Sequence, residues 1–242
     1  MKTVLLDNVT HKDLRVKTGF SAEFGDCINS CVVFPTEFIH VQREYPIVFG
    51  RDANGELQAM ALLGLEKDEN LFLDENGWNA RYVPAIQQRG PFLIGLQKYP
   101  DEADRQDPMV QVDLDHPRIS HSEGEPLFLP HGGNSPYLDR ISRVLQVIYR
   151  GTPHIRPMFA AFEDAGLIES VDLNIELDRT TKYKLQGYLT LSQDRLNELD
   201  QQQLERLNKA GYLQLAMLAA ASLGNVSWLI ELKNRRRAAE RA

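Results

Sequence analysis

The chain has 242 residues, 43% of them hydrophobic, and carries 27 lysines and arginines against 34 aspartates and glutamates, for a formal net charge of −7. That apolar content suffices for one large core or two small ones without disulfide staples, and the acidic balance argues against a protein that tracks nucleic-acid phosphates over a broad basic face. Mean hydropathy is −0.36, and no unbroken apolar run approaches the roughly 18–20 residues of a bilayer span, so no transmembrane segment is expected.

Met1 to Asn8 offers one lysine and a short apolar patch broken by Asp7, which is neither the apolar stretch nor the cleavage site of a secretory signal. The expectation is a cytoplasmic protein. Cys27 and Cys31 form a C-x3-C pair, which is neither the C-x-x-C of redox proteins nor half of a zinc motif. They read as two reduced, largely buried thiols.

The texture changes near residue 134, dividing the chain into a β-rich region over 1–133 and a helical region over 134–242, expected to form one cooperative unit. In the first region Cys31 to Phe34 reads as a strand stopped by Pro35. Thr36 suits the cap of a short helix from Glu37 to Glu44, whose Phe38, Val41 and Tyr45 form one apolar stripe. Pro46–Phe49 and Leu57–Leu65 flank Asn54-Gly55 as a hairpin, with the Asn-Gly pair supplying positive φ at the turn. Trp78 to Tyr82 reads as the start of a short helix before Pro84, and Pro91 to Leu96 as a buried strand. From Tyr99 to Gly133, acidic residues, prolines and histidines suggest a long surface excursion, with one edge strand at Met109–Leu114.

In the second region Leu138, Ile141, Val144, Leu145 and Ile148 mark one face of a helix. A second helix runs from Ile155 or Pro157 to Ala165, with Gly166 as its stop. Val171–Leu177 and Tyr183–Leu189 alternate as a hairpin, within 171–189, turning at Asp178 to Thr181. Ser192 caps a helix containing Leu196 and Leu199. Asp200 begins another, with Leu204, Leu207, Tyr212, Leu215 and Leu218 inward, and Ser222–Leu232 closes the set. The fold class is therefore α+β: a mixed, mainly antiparallel β-rich amino-terminal region packed against a helical carboxyl-terminal region with one hairpin.

The motifs of P-loop, Rossmann, zincin and α/β-hydrolase sites are all missing. Asp113, Asp115, His116, His121 and His131 carry metal-ligating groups, though H-x4-H-x9-H matches no derivable geometry and loops commonly hold such residues. The group defines an alternative reading as a metal-assisted enzyme. His131 to Ser135, ahead of a helix, would suit an anion or an ordinary cap. His40 and Glu44 at i, i+4 would suit an acid/base pair or a structural bond. Trp78, Arg81, Tyr82 and Arg89 combine planar aromatic and guanidinium groups of the kind enriched at binding hot spots; the aromatics fit a core equally well. Lys233 to Arg241 holds five basic residues against one acidic, either a basic docking tail or a frayed, solvated helix end.

The blocks Glu37-Phe38, Glu44-Tyr45-Pro46-Ile47-Val48-Phe49, Ala61–Leu65, Asn70–Leu73, Trp78-x-x-Arg81-Tyr82-Val83-Pro84-Ala85 and Arg89–Phe92 resemble the bacterial SapC family. So do Leu127-Phe128, Gly187-Tyr188 and the Leu207, Gly211, Leu213 and Ser222-Leu223-Gly224-Asn225 pattern. The resemblance covers nearly the whole chain. It implies a role near surface-layer protein assembly or secretion. It also implies association with flavin-dependent halogenase-like proteins, cupin-like oxygenases and TonB-dependent receptors. It brings no catalytic residues, and the histidine-rich loop lies outside its pattern.

The combined expectation is an accessory protein, without cofactor, that binds a protein or extended peptide by strand addition at a sheet edge, with Trp78, Arg81, Tyr82 and Arg89 as anchors.

Overall fold

The computed structural model describes residues 2–99, 102–177 and 181–241. In chain order the strands are β1 (Thr3–Leu5), β2 (Arg15–Val16), β3 (Ser30–Val33), β4 (Ile47–Arg51), β5 (Leu57–Leu62), β6 (Leu73–Asp74), β7 (Gly77–Trp78), β8 (Phe92–Tyr99), β9 (Glu102–Asp113), β10 (Ile119–Ser120), β11 (Glu125–Pro126), β12 (Ile168–Glu176) and β13 (Lys182–Leu191). The helices are α1 (Phe38–Val41), α2 (Ala85–Gln88), α3 (Pro136–Gly151), α4 (Ile155–Asp164), α5 (Gln193–Asn197), α6 (Gln201–Lys209), α7 (Tyr212–Ser222) and α8 (Val226–Glu240). The fold is α+β with antiparallel sheets.

The main sheet has the order β12-β13-β4-β5-β3, antiparallel throughout. Strands from both sides of residue 134 thus share one ladder. β5 lies between β3 and β4, and its Leu57, Ala59, Ala61 and Leu62 are in the main core with Met60 packed against it, so side chains from both of its faces meet apolar neighbours. The β4–β5 turn differs in detail from the expected Asn-Gly turn. Gly55 alone takes positive φ, at 82°; its N–H bonds to the Asp52 carbonyl, while the Asp52 carboxylate accepts from Asn54 and Glu56 N–H. This is a type I turn closed by one left-handed glycine. Helices α1, α4, α6, α7 and α8 contribute Phe38, Phe159, Phe162, Leu207, Ala216, Ala219 and Leu229 to the core around this sheet.

A second core lies under the sheet of order β1-β9-β8 and the small sheet β10-β2-β11. Phe92, Val112, Val16 and Leu127 meet Tyr137, Leu138, Ile141 and Leu145 of α3 there. The sequence reading of 99–133 needs correction: β9 is a long strand and lies centrally, between β1 and β8, instead of being an edge. Its Pro108 faces Leu96 across a non-hydrogen-bonded pair, so the missing N–H costs β8 nothing. Pro100 and Asp101, in the same stretch, lie outside the described residues, as do 178–180 of the expected β12–β13 turn.

Three further readings change. Trp78–Tyr82 is not helical; Gly77-Trp78 pairs with Leu73-Asp74, and the helix begins only after Pro84. Thr36 does not cap: its hydroxyl donates to the Val147 carbonyl, while the Glu37 carboxylate accepts the Phe34 N–H. The helix expected from Asp200 through Leu218 is two, broken where Gly211 adopts φ 77°, and Leu204 is exposed. By length and composition the run Tyr212–Glu240 would suffice to cross a bilayer, so the statement that no stretch is long and apolar enough does not hold for this helical pair. Its Ala216, Ala219, Ala220 and Leu229 nonetheless pack into the main core.

Candidate functional site

Several blocks of the SapC-like pattern meet in one hydrogen-bond network. The Ile47 N–H donates to Ser222 Oγ at 2.8 Å, and Asn225 Nδ2 donates to the carbonyls of Gln42 and Tyr45. The Tyr45 hydroxyl donates to the Tyr82 carbonyl and accepts from Trp78 Nε1 at 2.9 Å. Glu37, fully buried, accepts from Phe34 N–H, the Tyr82 hydroxyl and Ala85 N–H. Burial pushes its carboxyl above the ordinary glutamate range, against the pull of those donors. Glu44 accepts the Arg81 backbone N–H on both oxygens, and His40 stacks on Tyr82 at 5.1 Å. His40 and Glu44 are therefore each engaged elsewhere and do not form the acid/base pair their spacing allowed.

The short helix α2 and the long helix α3 pack against each other, with an opening on either side of their seam. On one side lies an arginine-lined cavity of about 450 Å³, with Arg81, Tyr82, Arg118, Tyr137 and Arg140 among its walls. On the other, a groove of about 410 Å³ runs between the edge strand β8 and the carboxyl end of α3. Ile86, Arg89, Leu93, Ile94 and Leu96 form one wall, and Leu145, Ile148, Tyr149, Thr152 and Pro153 the other.

The register of β8 sets what this groove offers. The Asp113 N–H bonds to the Pro91 carbonyl, so residues 91, 93 and 95 are the hydrogen-bonded positions against β9. The backbone groups of 92, 94 and 96 consequently point away from β9. Those of Phe92 are taken up by Arg89, through its carbonyl and its Nη1; those of Ile94 and Leu96 face the open edge. By alternation the Leu93 side chain lies on the opposite face from Ile94 and Leu96. All three line the groove, which therefore follows the strand edge itself. Leu96 is 50% exposed and Tyr149 is also exposed. Burial lowers the Arg89 pKa, and among the described residues its Nε has no partner.

The four expected anchors do not share one surface. Arg89 sits in the apolar groove, Arg81 and Tyr82 on the arginine-lined cavity. Trp78 and Arg81 border a neighbouring hollow with Arg43 and Trp228. The polar atoms of Trp78 and Tyr82 are already spent inside the fold.

The histidine loop does not assemble: among the described residues no group of three or more His, Cys, Asp and Glu side chains is placed to hold a metal. His116 Nδ1 accepts the Arg118 N–H, and Asp113 accepts from the Lys2 and Asp115 N–H groups. At the amino end of α3, Ser135 Oγ accepts the Leu138 N–H and Asn134 bonds Asp139, an ordinary cap. Cys27 and Cys31 are both unbridged; Cys27 Sγ donates to the Asp68 carbonyl, and burial raises the Cys31 thiol well above its ordinary value.

The basic tail is solvated only in part: Asn234, Arg235 and residues 238–241 are exposed, while Lys233 is buried and Arg236 half-buried. Lys233, 6% exposed, reaches Glu66 at 2.7 Å and Glu69 at 2.5 Å, and Arg236 donates to the carbonyls of Asn70 and Leu73.

The SapC family profile matches residues 6–229. The chain belongs to the SapC family. No curated protein and no solved structure matches it. The match spans both cores, the α2–α3 seam and both openings beside it.

Proposed function

We propose that this SapC-family chain is a cytoplasmic accessory protein that takes up an extended, apolar-rich segment of a partner protein between β8 and α3. The observation that carries the reading is the open edge of β8 facing an apolar helix wall. An edge strand opposite a helix is the arrangement through which β-augmentation domains add a peptide strand. Here the Ile94 and Leu96 backbone groups would bond the peptide main chain. Ile148, Tyr149 and Leu93 would receive alternate side chains. Arg89 holds the Phe92 carbonyl and so ends the open stretch. The resemblance supplies the class of partner: a component of a surface-layer or outer-membrane receptor system.

The test is selection from a random decapeptide library, followed by calorimetry on the selected sequences. The expected peptides carry apolar residues at alternate positions and bind at about 1–100 μM. Leu96→Asp and Ile148→Glu should each weaken binding by about tenfold or more, and N-methylation of alternate peptide amides should do the same. Selected peptides that bind equally well to both variants, or that tolerate every N-methylation, would refute strand addition here, as would a library that yields no binder.

A further inference from the structure

The cavity on the other side of the α2–α3 seam has a different chemistry, and its charge runs against that of the chain. Acidic residues outnumber basic ones, 34 to 27, over the whole sequence. The cavity is nevertheless lined by Arg81, Arg118 and Arg140, with no carboxylate among its described lining residues. A random patch of this surface would carry more acids than bases, and guanidinium groups are the side chains that match carboxylate and phosphate oxygens in a planar fork.

The three arginines are not equivalent. Arg118 is built in: 5% exposed, bonded to Asp26 at 2.7 Å and to the Gly19 carbonyl, with its guanidinium over Phe20 and Phe24. Its charge is offset by Asp26, so the net positive charge of the cavity comes from Arg81 and Arg140. Arg81 and Arg140 are exposed. The guanidinium of Arg140 lies 5.2 Å from the centroid of the Tyr137 ring, and the Arg81 backbone N–H is held by Glu44. Tyr137, Arg140, Ile141 and Val144 fall at i, i+3, i+4 and i+7, one face of α3 turned to this cavity.

Tyr137 is the most informative wall residue. It is 9% exposed, and among the described residues nothing in the protein hydrogen-bonds its hydroxyl. Its hydroxyl is not one of the sealed, unpartnered polar atoms, which among the described residues are Ser21 Oγ and Arg89 Nε, so it opens to the cavity and is free to donate there. The remaining walls are apolar or neutral, with Phe20, Val83 and Val144 beside Gln87 and Gln88, and the volume of about 450 Å³ falls within the range of small-molecule sites.

We propose that this cavity binds an organic oxyanion, a carboxylate or phosphate monoester on an apolar body, with Arg81 and Arg140 as ion-pairing groups and the Tyr137 hydroxyl as hydrogen-bond donor. Arg118, paired with Asp26, is part of the wall and does not need to touch the ligand. The site is independent of the peptide groove, since it shares no lining residue with it.

The test is calorimetry on the intact chain with four probes: phenylacetate, phenyl phosphate, inorganic phosphate and neutral phenylacetamide. One or both aromatic anions should bind with Kd below about 1 mM, and phenylacetamide at least about tenfold more weakly. The stronger of the two identifies carboxylate or phosphate as the source. Arg81→Gln and Arg140→Gln, both at exposed positions, should each weaken binding by about tenfold, and Tyr137→Phe, which keeps the ring and so the packing, by about threefold to tenfold. Circular dichroism and urea midpoints confirm that the variants fold. The proposal is overturned if neither aromatic anion binds at ~10 mM, if phenylacetamide or inorganic phosphate binds as tightly as they do, or if folded Arg81→Gln and Arg140→Gln variants bind like the native chain.

Discussion

Replacing Lys233 with methionine tests whether α8 is tied to the amino-terminal half. Lys233 is 6% exposed, and its ammonium lies 2.7 Å from Glu66 and 2.5 Å from Glu69. Burial works against its charge, yet the two carboxylates hold its pKa above the ordinary lysine value. Methionine keeps most of the aliphatic stem, so the loss is electrostatic. Removing one partner of a buried ion pair costs about 3–5 kcal/mol. Two features reduce that figure. Glu69 keeps the N–H groups of Leu65 and Glu66 on its other oxygen, and the Glu66 side chain is 51% exposed. The expected destabilisation is about 2–3 kcal/mol, which at this chain length is about 4–12 °C in Tm. Urea denaturation of native and variant chains, compared at equal slope, measures it. Glu66→Gln, at the exposed partner, should cost less than about 1 kcal/mol. A Lys233→Met variant within about 0.5 kcal/mol of the native chain would refute the placement of α8 against residues 66–73.

Other substitutions follow from the same geometry. Ser222→Ala leaves the buried Ile47 N–H without its acceptor and should cost about 1–3 kcal/mol by urea denaturation. Gly64→Ala sets a methyl 2.3 Å from the Glu69 carbonyl oxygen, so a loss of about 1–3 kcal/mol is expected in the same assay. Glu37 has a raised carboxyl pKa, so its stabilising share is present below the unfolded value near 4.5 and is lost as pH rises through the folded value. The stability difference between native and Glu37→Gln chains should therefore shrink as pH rises from about 4 towards neutrality. A difference that grows with pH would show that the ionised form is the favoured one.

The elements legible in the sequence were those whose signal is local. The β4–β5 and β12–β13 hairpins follow from alternation, and α3 and α4 from the 3.6-residue period with Ser135 and Gly166 at their ends. What escaped depends on partners far along the chain. The carboxylates of Glu66 and Glu69 hold Lys233 from about 165 residues away, so the tail read either as a docking tail or as a solvated helix end. Glu102–Asp107 reads as loop because five of its six residues are charged or polar, although β8 and β1 flank the strand that contains it. Gly211 broke a helix that the leucine period alone would continue. Neither opening could be located in the sequence. The cavity gathers residues from 18–20, 81–90, 118 and 137–144, and the groove needs the edge position of β8. The aromatic and guanidinium composition of the Trp78–Tyr82 block suggested a binding surface, whereas the polar atoms of Trp78 and Tyr82 bond within the fold.

Amide hydrogen exchange at β8, with and without a selected decapeptide, tests the central claim most directly. In the unliganded chain the Leu93 and Gly95 amides, bonded across to Gln111 and Met109, should exchange slowly, while the outward Ile94 and Leu96 amides exchange fast. Peptide binding should slow Ile94 and Leu96 selectively, by about tenfold or more. Unchanged exchange at these two amides under saturating peptide would contradict strand addition at the β8 edge.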